Sequence, residues 1–578
     1  MRKQTKVVAV ASAAALLAIG GAMTSFAAQG WVEEDGTWYY YDKDGNRVED
    51  EWRKSGDNWF WLDSEEGGAM ATDKLVDDDD DTYYVDANGV MVTNTWVKVV
   101  NEDQDDDEDP AEYHYYYMQS NGKAYKGTSD TIKKRTIDGK QYAFDDEGVM
   151  VYSWVDGSGE RLTGDTGWKD AGTEENVYYF GSWEDGSMKT GWQKISVYDD
   201  SDNKEDDYDY WFNFKSNGRL RKNDDDWKSN GKHYRFNEYG VMEYQWSLAS
   251  GGNMASTADW SYFNSPEDGA RVTKGWFKVI APNEDNTFAE SDDITFASKD
   301  ADEENERWYY SNGDGEVLSG QIKKINGKYY AFRPEGNKAG AMLTGLCALR
   351  TNGDEITEVI DDDMDSDALD DFLDAEGDYA GVDYTNVSLY YFGNDADTDG
   401  AMKTGSVTIN LDGDSYQFMF SKTGGAENRG KGLTGIYDGD YIYKYGKRIK
   451  ADSDEKYIVV YATGTTTDDD VTVTEIDSAD LRKYSVNEDT VINKDGDTIK
   501  YVGEEGKAWD GEYYLVNTSG AIQKSKTAAK DGDDWYFYVE NYRIVLYANN
   551  KTFDGDAKDF LDGWKDWVDA DEAYTPTH

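Results

Sequence analysis

One motif of about twenty-one residues recurs along this chain, and its period limits the fold more than any other feature. The first copy is Gly30-Trp31, a turn, the run Trp38-Tyr39-Tyr40-Tyr41, and then Asp44-Gly45. The next puts Trp52 where Trp31 stood and Trp59-Phe60-Trp61 where the first had Trp38-Tyr39-Tyr40. A second marker follows the aromatic runs: glycine, a small or apolar residue, then often methionine. It reads Gly68-Ala69-Met70, Gly89-Val90-Met91, Gly148-Val149-Met150, Gly240-Val241-Met242, Gly340-Ala341-Met342 and Gly400-Ala401-Met402. A period of this length is the mark of stacked repeats, each too small to fold alone.

Aromatic runs flanked by turn dipeptides (Asp44-Gly45, Asn88-Gly89, Asn121-Gly122, Asn217-Gly218, Asp268-Gly269) predict short strands paired as hairpins. Side chains alternate along a strand, so Trp38 and Tyr40 share one face and Tyr39 and Tyr41 the other. A lone hairpin is marginal in water, so hairpins must bury themselves on their neighbours. The chain has 578 residues with 38% hydrophobic and 15% aromatic content, too few aliphatic side chains for one large core. The expected fold is all-β: an elongated solenoid of stacked β-hairpin repeats with acidic loop inserts.

Basic Arg2, Lys3 and Lys6, an apolar run over 7–19 and the small residues around Ala27 read as a signal peptide, residues 1–28. The remainder divides into a repeat array (29–345), an acidic insert (346–389), further repeats (390–450), a divergent β insert (451–500), C-terminal repeats (501–547) and an acidic tail (548–578). Within these, 368–375 reads as one or two helical turns, and 457–461 and 471–476 as ordinary strands. Cys347, the only cysteine, cannot form an internal disulfide, and its apolar run Leu346-Cys347-Ala348-Leu349 predicts burial. An exported chain stabilised by repeats rather than disulfides points to a bacterium with a thick wall.

The module Gly-Trp, Trp-Tyr-Tyr, Asp-Gly, Gly-Ala-Met resembles the cell-wall-binding repeat family, which includes choline-binding and glucan-binding repeats. Gly186-Ser187-Met188-Lys189-Thr190-Gly191-Trp192 is similar to its consensus. The resemblance implies ligand sites made as aromatic cages by adjacent hairpins, with a methionine nearby. Few consecutive units keep both tryptophan and triplet, and acidic stretches stretch the spacing at 102–109, 199–207, 283–306 and 354–383. Adjacent complete units point to Trp31, Trp38, Trp52 and Trp59, and to Trp168, Tyr178, Tyr179, Met188, Trp192 and Trp211, as the ligand-binding residues. Such rings attract a quaternary ammonium through their faces and can equally stack on a sugar. The implied partner is a bacterial cell-wall polymer, either teichoic acid choline or polysaccharide.

A formal net charge of −60 argues against nucleic acid, whose phosphates need arrays of Lys and Arg. It favours cationic groups. Asp395-Ala396-Asp397-Thr398-Asp399-Gly400 resembles the start of a calcium loop, but Ser406 stands at the twelfth position, where the bidentate acid belongs. His114, His233 and His578 are too scattered for a zinc site or a serine triad, and no carboxylate pair stands out from so many. The expectation is a binding protein, not an enzyme, with no cofactor, no metal and no transmembrane segment. It is exported and held at the cell surface. The alternative is a structural protein that self-associates into a matrix or filament without a small ligand.

Overall fold

The computed structural model describes residues 29–553 and Lys558, less 105–108, 129, 171, 201–204, 254–255, 283–304, 335, 337, 438–439, 464–470, 477–490, 493–497, 502–511 and 533. The segment expected as a signal peptide, most of the 283–306 insert and most of the expected acidic tail lie outside the described residues.

Hairpins dominate, and their registers follow the sequence pattern. Gly30–Glu34 pairs antiparallel with Thr37–Tyr41, setting Trp31 opposite Tyr40. Glu51–Ser55 pairs with Asn58–Asp63, setting Trp52 opposite Trp61. The turn Asp35-Gly36 has both residues at positive φ, 49° and 86°. That geometry matches the twist of the flanking strands and explains the Asp-Gly pair. The dipeptide Asp44-Gly45 has another task. It lies after the hairpin, in a turn closed by Asp42 Oδ1, which accepts the Asp44 and Asn46 amides at 2.8 Å each.

The markers join one hairpin to the next. After each second strand the chain turns back, and the methionine of the following module donates its amide to a carbonyl in the preceding hairpin. Met91 reaches Trp59, Met150 reaches Tyr115, Met242 reaches Trp211, Met342 reaches Trp308 and Met402 reaches Tyr329, at 2.8–2.9 Å. The thioether then lies on the glycine of the next marker: Met70 on Gly89, Met91 on Gly122, Met150 on Gly186, Met188 on Gly218, Met342 on Gly400 and Met402 on Gly430. A Cβ on Gly122 would stand 2.5 Å from Met91 Sδ, closer than any real carbon contact. The glycine of the marker is therefore a packing requirement as well as a turn residue.

The chain forms two compact units. The first gathers the described residues up to Gln245 with Phe263–Arg271; the second holds Trp246–Tyr262 and the residues from Val272 onward. Unit one is mostly two-stranded hairpins, with one five-stranded sheet at its start. Unit two is richer in larger sheets. Lys328–Phe332, Gln321–Ile325, Glu355–Asp361, Leu346–Asn352 and Val387–Tyr391 form one five-stranded sheet in that order, and Gly405–Leu411 opens another. The stretch expected as an acidic insert, 346–389, thus supplies strands to the first of these, because Leu346, Cys347, Ala348 and Leu349 are all buried. Its acidic part also carries the nine-residue helix Ser366–Asp374, capped by Asp365, with Leu369 and Phe372 inward. In the divergent segment, Tyr457–Thr463 pairs with Thr472–Ile476 as two ordinary strands. Among the described residues no helix is long and apolar enough to cross a membrane.

If the Met–Gly contact holds the modules together, Gly122→Ala, which adds both a clash and a strained φ of 85°, costs about 1–3 kcal/mol in urea unfolding. Shortening the opposing side chain with Met91→Ala relieves the steric part, so the double variant loses less than the two single costs combined.

Candidate functional site

The tryptophans at the Trp31 position of the repeat (Trp31, Trp52, Trp96, Trp154 and Trp276) each sit at the centre of a ring cluster spanning two hairpins. Trp31 meets Tyr40 of its own hairpin at 5.4 Å and Phe60 of the next at 5.3 Å. Trp52 meets Trp61 at 5.3 Å and Tyr83 at 5.0 Å. The same arrangement joins Trp96 to Tyr117 and Tyr142, Trp154 to Tyr179 and Phe212, and Trp276 to Tyr310 and Tyr330. Many of these pairs are edge-to-face, an arrangement worth roughly 0.5–1.5 kcal/mol beyond area burial. These rings are thus joints between modules, Trp154 buried and the other four half-buried.

The expected site residues divide by this geometry. Trp31 and Trp52 are joint rings, each with a buried indole N–H. Trp38 lies on the second strand opposite Glu33, and Trp59 opposite Lys54. Trp59 is 40% exposed, with Lys54 Nζ 5.9 Å from its ring centre. Trp168 needs correcting: it is not on a hairpin but in the helical turn Gly167–Asp170, 4% exposed. It packs on Tyr210 and Tyr239 and donates Nε1–H to the Tyr198 carbonyl at 2.7 Å. Its Gly-Trp pair mimics the repeat, but the aromatic strand that follows, Tyr178–Tyr179, pairs with Trp154–Val155 instead. Tyr178 is buried, with Lys134 Nζ 4.5 Å from its ring, and Tyr179 stacks between Trp154 and Phe214. Met188 belongs to the marker ladder. Of the ten residues, Trp192 and Trp211 are the pair brought into ring contact, at 6.3 Å and 86°. Trp227, Tyr234 and Phe236 close around Trp192 at 5.0–5.5 Å.

Sequence reasoning missed the cations that occupy these rings. Arg47 lies 3.7 Å from the centre of Tyr39, Arg161 3.8 Å from Tyr152, Arg221 4.2 Å from Trp227 and Lys98 4.3 Å from Tyr113. A usable signal was present: a lysine two places after the Gly-Trp tryptophan, in Lys54, Lys98, Lys194 and Lys278, stands across the hairpin from Trp59, Tyr115, Trp211 and Trp308. The acids that pair with two of these lysines had no such signal. Glu267 accepts from Lys194 Nζ at 2.8 Å and Trp211 Nε1 at 3.2 Å. Asp397 accepts from Lys278 Nζ at 2.8 Å and Trp308 Nε1 at 2.7 Å. The calcium-like segment is thereby accounted for: Asp397 is taken by Lys278, Asp395 holds the Asp397 and Thr398 amides, and Asp399 pairs with Lys403.

No protein-family model matches the chain, and no curated protein matches it. Among solved structures it is similar to CbpJ from Streptococcus pneumoniae TIGR4, at 16% identity over 68% of this chain and 97% of that one, with a TM-score of 0.32. It is similar to the choline-binding domain of CbpL from the same species, at 23% identity over 42% of this chain and 96% of that one, TM-score 0.25. It is also similar to the modular autolysin LytC from that species, at 18% identity over 55% of this chain and 54% of that one, TM-score 0.28. Most of the structural neighbours are choline-binding proteins, and an alternansucrase stands among them. At such identities and TM-scores, the roles of individual residues rest on this chain's own geometry.

The two carboxylates are held below their ordinary range, Glu267 by Lys194 and then Trp211, Asp397 by Lys278 and then Trp308. A depressed acid stabilises the fold above its ordinary value, 4.5 for Glu and 3.8 for Asp, and loses that contribution as the pH falls through its folded value. The melting temperature of Glu267→Gln/Asp397→Asn should therefore lie below wild type at neutral pH and converge with it in acid.

Proposed function

We propose that this is an exported bacterial surface protein that holds cell-wall polymer non-covalently, through aromatic sites between hairpins, with choline-like ammonium groups as the ligand class. The observation that carries the reading is that aromatic faces of this chain accept cations: Lys and Arg side chains of the chain itself sit 3.7–4.5 Å from the centres of Tyr39, Tyr152, Trp227, Tyr113 and Tyr178. A ring that holds a guanidinium or ammonium offers the same negative face to an external quaternary ammonium. The net charge of −60 favours such a ligand over an anionic one. Trp59 is the most accessible site of this kind, a large ring 40% exposed beside Lys54.

In this reading residues 1–28 direct export, and the arrays 29–345, 390–450 and 501–547 carry the ligand sites. The role is adhesive rather than catalytic. Within each unit the marker-to-hairpin linkage continues from module to module, and we infer from it a solenoid rather than a closed barrel or sandwich. Small-angle scattering of the mature chain should give a radius of gyration well above that of a compact sphere of this length; a compact value overturns the solenoid.

Adsorption tests the function. Binding of the mature protein to purified walls should saturate and be displaced by free choline. Displacement by glucan oligosaccharides instead would reassign the ligand to a sugar, and ligand-free polymerisation would favour the matrix-forming alternative. Trp59→Ala should weaken adsorption while moving unfolding by no more than about 0.5 kcal/mol, as befits an exposed ring. The joint residue Trp52 should behave oppositely, with Trp52→Ala costing about 3–5 kcal/mol.

A further inference from the structure

One stretch of the second unit runs against the charge of the rest of the chain. Residues 441–450 hold four basic side chains, Lys444, Lys447, Arg448 and Lys450, and no acidic one, in a protein with 119 acids and 59 bases. The tight turn Tyr445-Gly446, with φ 47° and 95°, folds them into a hairpin that pairs Lys444 with Lys447. All four line one cavity of about 800 Å³, which Asp370 of the helix Ser366–Asp374 and Tyr416 also line. Lys447 is paired there with Asp370 at 2.5 Å. Lys444, Arg448 and Lys450 make no ion pair among the described residues. Arg448 has a close counterpart in Arg47. Both stand at the methionine position of the marker, Arg47 bridged to Tyr41 and Arg448 to Tyr443, as Met150 is to Phe144. Arg47 lies 3.7 and 6.0 Å from the centres of Tyr39 and Tyr41, and Arg448 lies 4.0 and 5.8 Å from those of Tyr441 and Tyr443. Each donates to the hydroxyl of its second tyrosine, at 3.0 and 3.4 Å. At Arg47 a carboxylate completes the arrangement, Glu34 accepting from Nη2 at 2.5 Å. Arg448 has no such carboxylate.

We infer that this cavity is an oxyanion site in which Arg448, Lys444 and Lys450 bind a phosphate ester. The site goes beyond the ammonium reading above and does not depend on it. Arg47 shows what a guanidinium placed this way accepts: an anionic oxygen beside the tyrosine hydroxyl. Stacking on Tyr441 holds the Arg448 guanidinium in place, so little freedom is lost when it binds an anion. One carboxylate satisfies Arg47. Three cations without a partner call for more charge and a third acceptor oxygen, which a phosphate supplies. Five further carboxylates line the cavity, those of Asp374, Asp414, Asp452, Glu455 and Glu475, and all five residues are exposed. Water and salt screen them, whereas Lys444 and Arg448 are half-buried and less screened. The net charge of −60 repels a free anion from a distance. At physiological salt that repulsion fades beyond about 8 Å, and the cations at the cavity then decide binding.

Calorimetric titration of the mature chain with glycerol 3-phosphate tests this. Binding should saturate at one equivalent per chain and weaken as sodium chloride is raised, with inorganic phosphate competing and acetate failing to compete. Lys444→Gln/Lys450→Gln breaks no ion pair, so urea unfolding should stay at the wild-type midpoint while the Kd rises about tenfold or more. Arg448→Lys, which keeps the charge but loses the planar fork, should also weaken binding. Arg47→Lys, whose partner Glu34 already fills its site, should leave it unchanged. Displacement by acetate as readily as by inorganic phosphate overturns the phosphate assignment. Undiminished binding in folded Lys444→Gln/Lys450→Gln and Arg448→Lys variants overturns the location. No uptake of glycerol 3-phosphate by the folded wild-type chain overturns the site altogether. Choline-displaced adsorption to walls should persist in every one of these variants, so a failure here leaves the ammonium reading standing.

Discussion

The structure depends on one repeated joint: a marker amide bonded to the carbonyl of the previous hairpin, and a methionine thioether laid on the glycine of the following marker. A two-stranded hairpin buries too little to persist alone. The amide bond sets where the next hairpin starts, and the thioether packs where the glycine leaves room, as at Met91 and Gly122. The thioether's adaptable shape suits a contact that recurs with slightly different neighbours. Once the joint is in place, the Gly-Trp tryptophan has a ring from its own hairpin on one side and a ring from the next on the other.

That joint also decides which aromatics are free for a ligand. The rings turned into it, such as Trp31 and Trp52, do structural duty. The rings opposite the lysines, Trp59, Tyr115, Trp211 and Trp308, lie on the same face of their strands, two positions nearer the hairpin turn than the residue opposite the joint tryptophan. A protein with so large an excess of acid keeps many of its basic side chains on aromatic faces and beside specific carboxylates. Electrostatics and aromatic packing meet there, and the ligand reading grows from that meeting.

The acidic residues are more than a solvated excess. Asp42 closes the turn after its hairpin, Asp365 caps the helix Ser366–Asp374, and Asp395 holds its own turn. Glu267 and Asp397 are structural partners of tryptophan indoles. Such placements use local hydrogen bonds that a short polar side chain makes with nearby backbone.

The period, the strands and the burial of Cys347 were legible in the sequence, because alternation and an apolar run are local properties. So was the presence of a ring system at the Gly-Trp positions. The misplacement of Trp168 shows the limit: Gly167-Trp168 has the repeat's spelling, but a tryptophan becomes a hairpin joint only when a triplet pairs opposite it. The division of rings into joint and outer face required the register, since Trp31 meets Tyr40 and Phe60 rather than Trp38. The acids that accept from the Trp211 and Trp308 indoles lie far along the chain from those rings. Only stacking three hairpins brings them there, because contacts between modules are set by the geometry of the joint and leave no periodic trace in the sequence.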